Sequence, residues 1–462
     1  MAEVWETDWL ASRPVFYNEK TGAASHHIND VIDFGSVEID PEGLFNFLDF
    51  GYSVLGQTPV RNVRFLAPCS RLTRGQNGHF EITSTHDPVQ DWLGKESDEY
   101  DVLVRLKDTI QGWELQSKGP IVIPTSGGYD SRLLNTMIND RSRIRSFTYG
   151  LSEKQDESFE AVKAKKLSTI LGTQCQQIQL GSFHKYFGAW DDLFGVSTHA
   201  HGMYHLEFYS AIKNIIPAGG ALLSGIIGDA WAGSVEISLI TQPDDLGLLG
   251  YAHGLRGDPG ASLLKAGKAQ REEYFARNKD LLNDPLYRVV AAMRFKIVLL
   301  NYLLAVPESL GFAPWSPFLI PEIALSMLTL PSSRRKGRVW QQDYFNRQGV
   351  NLESMNLPCN PTNTLDLHAM RCVPLRPLNV RLLCEVIKPS YVDWVNRQVK
   401  RVSPSWEWVW RQAAMRPRKV GRCCALLGIR DERLAAYSAY LTLKPIERVL
   451  ERRDMAGKGG AS

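Results

Sequence analysis

Ile121-Val122-Ile123-Pro124-Thr125-Ser126-Gly127-Gly128-Tyr129-Asp130-Ser131-Arg132 is the stretch whose reading decides the fold. Its β-branched start predicts a buried strand, since such side chains pack well on a pleated surface. Apolar residues at Leu133, Leu134, Met137 and Ile138 then recur at helical spacing. Strand, glycine-rich turn and helix N-terminus together make an anion site. No Cβ at Gly127 or Gly128 keeps a phosphate from the backbone N–H groups, and the helix dipole favours negative charge there. Asp130 in the first turn would repel a bare phosphate. A divalent cation between the carboxylate and the phosphate resolves that conflict.

Two familiar loops do not fit. A Walker A loop requires a lysine after its last glycine, and none stands here. A nucleophile elbow places serine between glycines, whereas Ser126 precedes both. The remaining pattern, S-G-G-x-D-S after a strand, resembles the pyrophosphate loop of the AMP-forming ATP pyrophosphatase (PP-loop) superfamily. An ordinary glycine-rich strand-to-helix turn is the alternative.

Working outward, 462 residues suffice for two or three domains and a large core. With 44% hydrophobic and 22% charged residues the composition is that of a soluble globular protein. A net charge of +3 excludes a general polyanion binder on charge alone. The start, Met-Ala-Glu-Val-Trp-Glu, shows no apolar signal segment. The apolar run from Ile297 to Val306, flanked by Arg294 and Lys296, is short for a bilayer and reads as a buried helix. No membrane insertion is expected. Seven scattered cysteines without a C-x-x-C pair predict free thiols and a cytoplasmic protein.

Strands are expected at Arg145–Gly150, Gln176–Leu180 and Ala221–Gly225. They alternate with helices over Asp98–Leu115, Asp156–Leu171 and His205–Ile215. That alternation predicts an α/β fold, a doubly wound parallel sheet with ligands at the strand C-terminal ends. A small hairpin is expected over Arg71–Ile82, and a strongly helical region from Asp284 to Leu330.

The run from Ile39 to Ile82, with Pro41–Leu48 as a short helix, then Phe50-Gly51-Tyr52 and Val63-Arg64-Phe65-Leu66-Ala67-Pro68, resembles the segment joining the two halves of asparagine synthetases. The likeness extends from about Ile39 to about Leu330. It implies a truncated N-terminal segment over 1–95, an asparagine synthetase-like ATP pyrophosphatase domain over 96–350, and a basic helical region over 351–462. Family enzymes that use glutamine carry a cysteine directly after the initiator methionine. Here Ala2 stands in that place, and too few residues precede the synthetase half for a glutaminase domain. No glutamine hydrolysis is expected from this chain.

A second motif, Ser224-Gly225-Ile226-Ile227-Gly228-Asp229-Ala230-Trp231-Ala232-Gly233, again ends a strand with glycines beside an aspartate. The family pattern is S-G-E-G-S-D-E-x-x-G-G, so Ile226 and Ala230 replace glutamates. The resemblance implies that Asp130 and Asp229 share Mg2+. It also implies that Thr125, Tyr149, Ser224 and Gly225 line the AMP site, with Ser126, Gly127, Gly128 and Ser131 on the pyrophosphate. Ala313–Ile320 keeps only the P-F-L core of the family's substrate loop, which implies a different acceptor. Within Arg334-Arg335-Lys336-Gly337-Arg338, Lys336 and Arg338 are candidates for stabilising the departing pyrophosphate, and a solvated basic turn is the alternative.

His201 and His205 stand at i, i+4, but no Glu-x-x-His completes a metal set. His199 or His201 could instead touch substrate. The tail from Arg397 to Arg422 interleaves basic and aromatic residues, which can bind nucleic acid or an anionic surface; an amphipathic helical cap with exposed arginines is the favoured alternative. The expected reaction is an ATP-dependent, AMP-forming amide ligation. A small-molecule or peptide carboxylate is activated as an acyl-adenylate, and ammonia or an amine then attacks. The amine comes from free ammonia, from a separate amidotransferase or from the substrate itself. Two other readings stay open: a PP-loop RNA-modifying enzyme, and a non-catalytic ATP-binding homologue.

Overall fold

The computed structural model describes residues 3–75, 79–216, 220–251, 255–400 and 431–459. Six short strands precede residue 90: β1 (Val4–Glu6), β2 (Phe16–Asn18), β3 (Ala24–Ser25), β4 (Val63–Phe65), β5 (Ser70–Arg74) and β6 (Phe80–Ser84). They form two antiparallel sheets, ordered β1-β5-β6 and β3-β2-β4. The expected hairpin is β5–β6. β1, β2 and β3 had no signal in the sequence, because each is too short to show alternation.

The helix Pro41–Phe50 begins where it can: Asp40 accepts from the Gly43 N–H and Pro41 occupies the first turn. It ends at Gly51, whose φ of 84° suits a residue without Cβ. A side chain at Gly51 would also meet the Leu255 carbonyl oxygen at 2.2 Å. Leu44, Phe47, Leu48 and Phe50 of this helix join the main core, with the rest of the chain. A small satellite cluster of Val15, Tyr17, Leu66 and Leu72 sits apart under the N-terminal strands.

Five later strands, β7 (Ile121–Pro124), β8 (Ile144–Thr148), β9 (Gln174–Gln177), β10 (Ala221–Leu223) and β11 (Ala313–Trp315), form one sheet ordered β11-β10-β7-β8-β9. All four pairings are parallel. Parallel strands are covered on both faces, so β7 and β10 are apolar throughout and fully buried at their centres. The strand order reverses between β7 and β10, the place where open parallel sheets leave a crevice outside the strands' carboxyl ends. β9 starts two residues earlier than expected. β11 was not foreseen as a strand at all: Pro314 removes an N–H, which an edge position tolerates.

The helix Glu99–Gln116 is capped by Asp98, which accepts from the Tyr100 and Asp101 N–H groups. The apolar stretch is two helices, Pro285–Leu300 and Tyr302–Ser309, capped at the start by Asp284. Together, Pro285–Ser309 is long and apolar enough, by length and composition alone, to cross a membrane, which corrects the shorter reading. Most of its apolar window is buried inside the fold. The final helix, Glu432–Gly459, is anchored in the core by Tyr437, Leu443 and Leu450. Most of the basic aromatic tail, residues 401–430 with Cys423 and Cys424, lies outside the described residues. The five described cysteines are free.

Candidate functional site

β7 delivers Ser126–Ser131 to the crevice, and β10 delivers Ser224–Asp229 to the same place. The two loops touch: a Cβ on Gly225 would lie 3.3 Å from Asp130 Cβ and 3.7 Å from the Ser131 nitrogen. Glycine is needed for that approach. Gly127 has φ 66°, and a Cβ there would sit 2.3 Å from Lys163 Cβ and 2.8 Å from Lys163 backbone carbon. Gly128 caps the helix Tyr129–Met137 in an extended conformation. The exposed Ser126 accepts a long bond from the Gly128 N–H at 3.3 Å, and Ser131 Oγ reaches the Gly128 carbonyl at 3.4 Å. Gly127→Ala combines an unfavourable left-handed residue, about 1–2 kcal/mol, with a clash against immobile backbone. We expect it to lose ATP binding in a direct titration. Binding within twofold of the parent would show that the loop does not hold the nucleotide.

Thr125 is buried, its hydroxyl donating to the Ile123 carbonyl at 3.0 Å and accepting from Asn135 at 3.1 Å. Ser224 is likewise buried, accepting from the Ile226 N–H at 3.3 Å. Tyr149, just past β8, stacks edge-on against Tyr204, His205 and Phe208.

Asp130 Oδ1 is fully buried without a hydrogen-bond donor, although the residue as a whole is partly open. Burial, reinforced by the neighbouring charge of Asp229, pushes its carboxyl up to about 8. Arg338, the Asp229 backbone N–H and the buried Gln341 favour the ionised form but do not offset burial. A buried carboxylate oxygen lacking a donor, beside a second and exposed carboxylate, fits a divalent cation. Among the described residues no group of three histidine, cysteine or acidic side chains forms a metal cage. Mg2+ asks for one or two carboxylates plus substrate phosphates, so Asp130 and Asp229 suffice as the protein's share.

Of the two basic candidates, the structure brings Arg338 to the crevice. It is a left-handed residue at φ 57°, following Gly337 at φ 65°, and its guanidinium lies 4.1 Å from the Tyr129 ring centroid. Such strain in a non-glycine residue clusters where geometry matters for function. Lys336 belongs to the same turn but is exposed, with no ion-pair partner among the described residues. Arg334 is engaged elsewhere, with Glu99 and Asp343. The turn is held against the second loop by Trp340 Nε1 donating to the Ala232 carbonyl at 3.1 Å. Gly233 approaches Arg335 so closely that a Cβ would meet its carbonyl at 2.3 Å. Ile227, at φ 55°, is a β-branched residue in the left-handed region and the strongest local strain in the second loop.

Three features escaped the sequence. Lys296 is half-buried on the apolar helix Pro285–Leu300; burial lowers its pKa, and Asp229 is the acid that opposes this. It had served only as a charged flank. Arg132, wholly buried, donates to the Gly127 carbonyl at 2.8 Å and forms a forked pair with Glu353 at 2.6 and 2.9 Å. Lys163 joins Glu353 at 2.8 Å. Burial works against ionisation of Glu353, but the hydrogen bonds from Arg132 and Lys163 outweigh it and hold the carboxyl down to about 2. No spacing rule links position 132 to 353, so only folding reveals that clamp.

The positions of the two family glutamates, Ile226 and Ala230, are buried and apolar. Pro317-Phe318-Leu319 forms one turn after β11, and Phe318 covers Gly228 while its carbonyl accepts from Trp231 Nε1 at 3.0 Å. The His201/His205 pair does not form a metal face: His205 is enclosed by aromatic rings, and His201 faces Asp366.

No family model matches the chain, and no curated protein matches it. Among solved structures, the chain is similar to the NH3-dependent NAD synthetase from Campylobacter jejuni subsp. jejuni NCTC 11168, in complex with the nitrate ion. The match has a TM-score of 0.25 and 16% sequence identity, covering 44% of this chain and 96% of that one.

Proposed function

We propose that the chain is an ATP-dependent, AMP-forming amide ligase of the PP-loop type, built on a doubly wound sheet and resembling asparagine synthetase. The observation that carries this reading is the buried, donor-free Asp130 oxygen beside Asp229, at the junction of two glycine loops. ATP would lie with its pyrophosphate on the Gly127 and Gly128 N–H groups, with Arg338 and Lys296 on the phosphate side and AMP toward Tyr149, Ser224 and Gly225. Asp130 and Asp229 would hold Mg2+, which would neutralise phosphate charge when bound.

The substrate carboxylate oxygen attacks the α-phosphorus, and pyrophosphate leaves with the bonding electron pair. An amine nitrogen then attacks the acyl carbon, and AMP leaves. The protein's work is orientation and placement of positive charge where the leaving pyrophosphate gathers negative charge. Ile226 and Ala230 offer no carboxylate to a substrate ammonium, which supports an acceptor other than aspartate.

The test is pyrophosphate and AMP release from ATP and Mg2+ over a panel of aspartate, glutamate, simple aliphatic and aromatic acids and short peptides, each with ammonium chloride. Release that depends on one carboxylate is expected. Release stimulated by total tRNA alone, with no carboxylate response, would replace this reading with RNA modification.

A further inference from the structure

Next to the phosphate crevice, a row of rings leads from Tyr149 to a histidine that the ligation scheme so far leaves unused. Tyr149 meets Tyr204 with ring centroids 5.7 Å apart, and Tyr204 meets His201 at 5.5 Å. His201 Nε2 lies 3.5 Å from Asp366 Oδ2. The Tyr204 and Tyr302 hydroxyls face each other at 3.5 Å. Tyr149, Tyr204, Tyr302, His201 and Asp366 are each partly exposed. β8 places Tyr149 at the sheet's carboxyl edge: Thr125 N–H donates to the Phe147 carbonyl, two residues before Tyr149.

Neighbouring positions carry buried polar atoms without partners. His199 is 2% exposed, and its Nδ1 accepts from the His201 backbone N–H at 3.2 Å. The proton therefore belongs on Nε2, which is buried with no acceptor. His205 Nδ1 and the Thr148 and Thr198 hydroxyls are also buried without partners. Burial, with His201 nearby, pushes both His199 and His205 down to about 3, so they stay neutral donors and acceptors. His201 differs from them in having a carboxylate beside one ring nitrogen. The Asp366 carboxylate faces Nε2, and Nδ1, without a partner among the described residues, is the ring nitrogen left to accept a proton.

We propose that His201, oriented by Asp366, is the general base that accepts a proton from the amine attacking the acyl-adenylate. The proposal rests on the ligase reading above. As the nitrogen–carbon bond forms, the bond from the acyl carbon to the phosphate oxygen breaks, AMP departs with that electron pair, and the surplus proton passes from nitrogen to His201 Nδ1. His199 and His205, neutral because they are buried, add no positive charge against an incoming amine. Asp366 is a positioning residue.

The test uses His201→Gln and Asp366→Asn in the full chain, with the carboxylate of the panel that gives the strongest pyrophosphate release. Ammonium chloride and hydroxylamine serve as alternative amines. Hydroxylamine is mostly unprotonated at neutral pH and a strong nucleophile, so it has little need of a base. With ammonia, His201→Gln should lose about 100-fold or more in amide formation, and Asp366→Asn a smaller share. With hydroxylamine, both should stay within about threefold of the parent. Equal losses with the two amines would make the pair a structural tie between its turn and the helix Leu365–Cys372, and would overturn the assignment. Unchanged ammonia turnover would overturn it too. If the parent releases no pyrophosphate with any carboxylate, the ligase reading fails first and the base assignment falls with it.

Discussion

On the proposed ligase reading, Asp130→Asn should lower AMP and pyrophosphate release by on the order of 10³-fold or more, because it removes one of the two carboxylates proposed to hold the cation. The same substitution leaves the fold intact and is neutral or stabilising near pH 7. The reason lies in the sign of the titration. The folded protein holds the Asp130 carboxyl at about 8, against 3.8 for an ordinary aspartate, chiefly by burial. Between those values the native state keeps a proton that the unfolded chain has released. Stability therefore falls as pH rises through that window. Asparagine keeps the shape and abolishes the slope.

The same proton must leave before a cation binds, so Mg2+-ATP affinity of the parent should rise with pH up to about 8. Thermal melts and nucleotide titrations across that range, on parent and variant, check both statements. Parallel melting profiles, together with undiminished turnover in the variant, would remove Asp130 from the site.

Glu353→Ala should be the most damaging change outside the crevice. It strips Arg132, whose side chain is 0% exposed, of both ionic bonds and leaves Lys163 facing it. An uncompensated buried charge costs about 3–5 kcal/mol; because Glu353 is itself 36% exposed, water takes up part of the loss and about 2–4 kcal/mol is expected. The damage should reach function, since Arg132 also holds the Gly127 carbonyl. KM for ATP should rise more than kcat falls.

Glu353 ionises well below the usual carboxylate range, so its stabilisation is full above about pH 4.5 and is lost as pH falls toward 2. Denaturant unfolding of Glu353→Ala beside Lys163→Met apportions the clamp. If Glu353→Ala costs no more than Lys163→Met, Arg132 does not depend on this carboxylate and the account is wrong.

Much of the crevice was legible because its chemistry is local in the chain. In Ile121–Arg132, strand, glycines and helix start follow one another, so periodicity and turn chemistry alone predict an anion site. The same holds for Ala221–Gly233, and for the helices over Asp98–Leu115 and Pro41–Leu48, whose aspartate caps stand where capping rules place them. Short N-terminal strands and Ala313–Trp315 were not legible. Three residues cannot show alternation, and an edge strand starting before proline looks like a loop.

What the sequence by itself determined, then, was the pair of loops and the aspartate that each carries, since backbone geometry and side-chain chemistry there are set within a dozen residues. Tertiary structure decided everything that depends on distant positions meeting. It placed Gly225 against Asp130, turned the Thr125 hydroxyl into the core, and chose Arg338 over Lys336 through a strained turn pinned by Trp340. It brought Lys296 beside Asp229, Glu353 onto Arg132 and Asp366 onto His201. Burial and Coulomb attraction act through space, so neither leaves a spacing in the chain from which such pairs could be read.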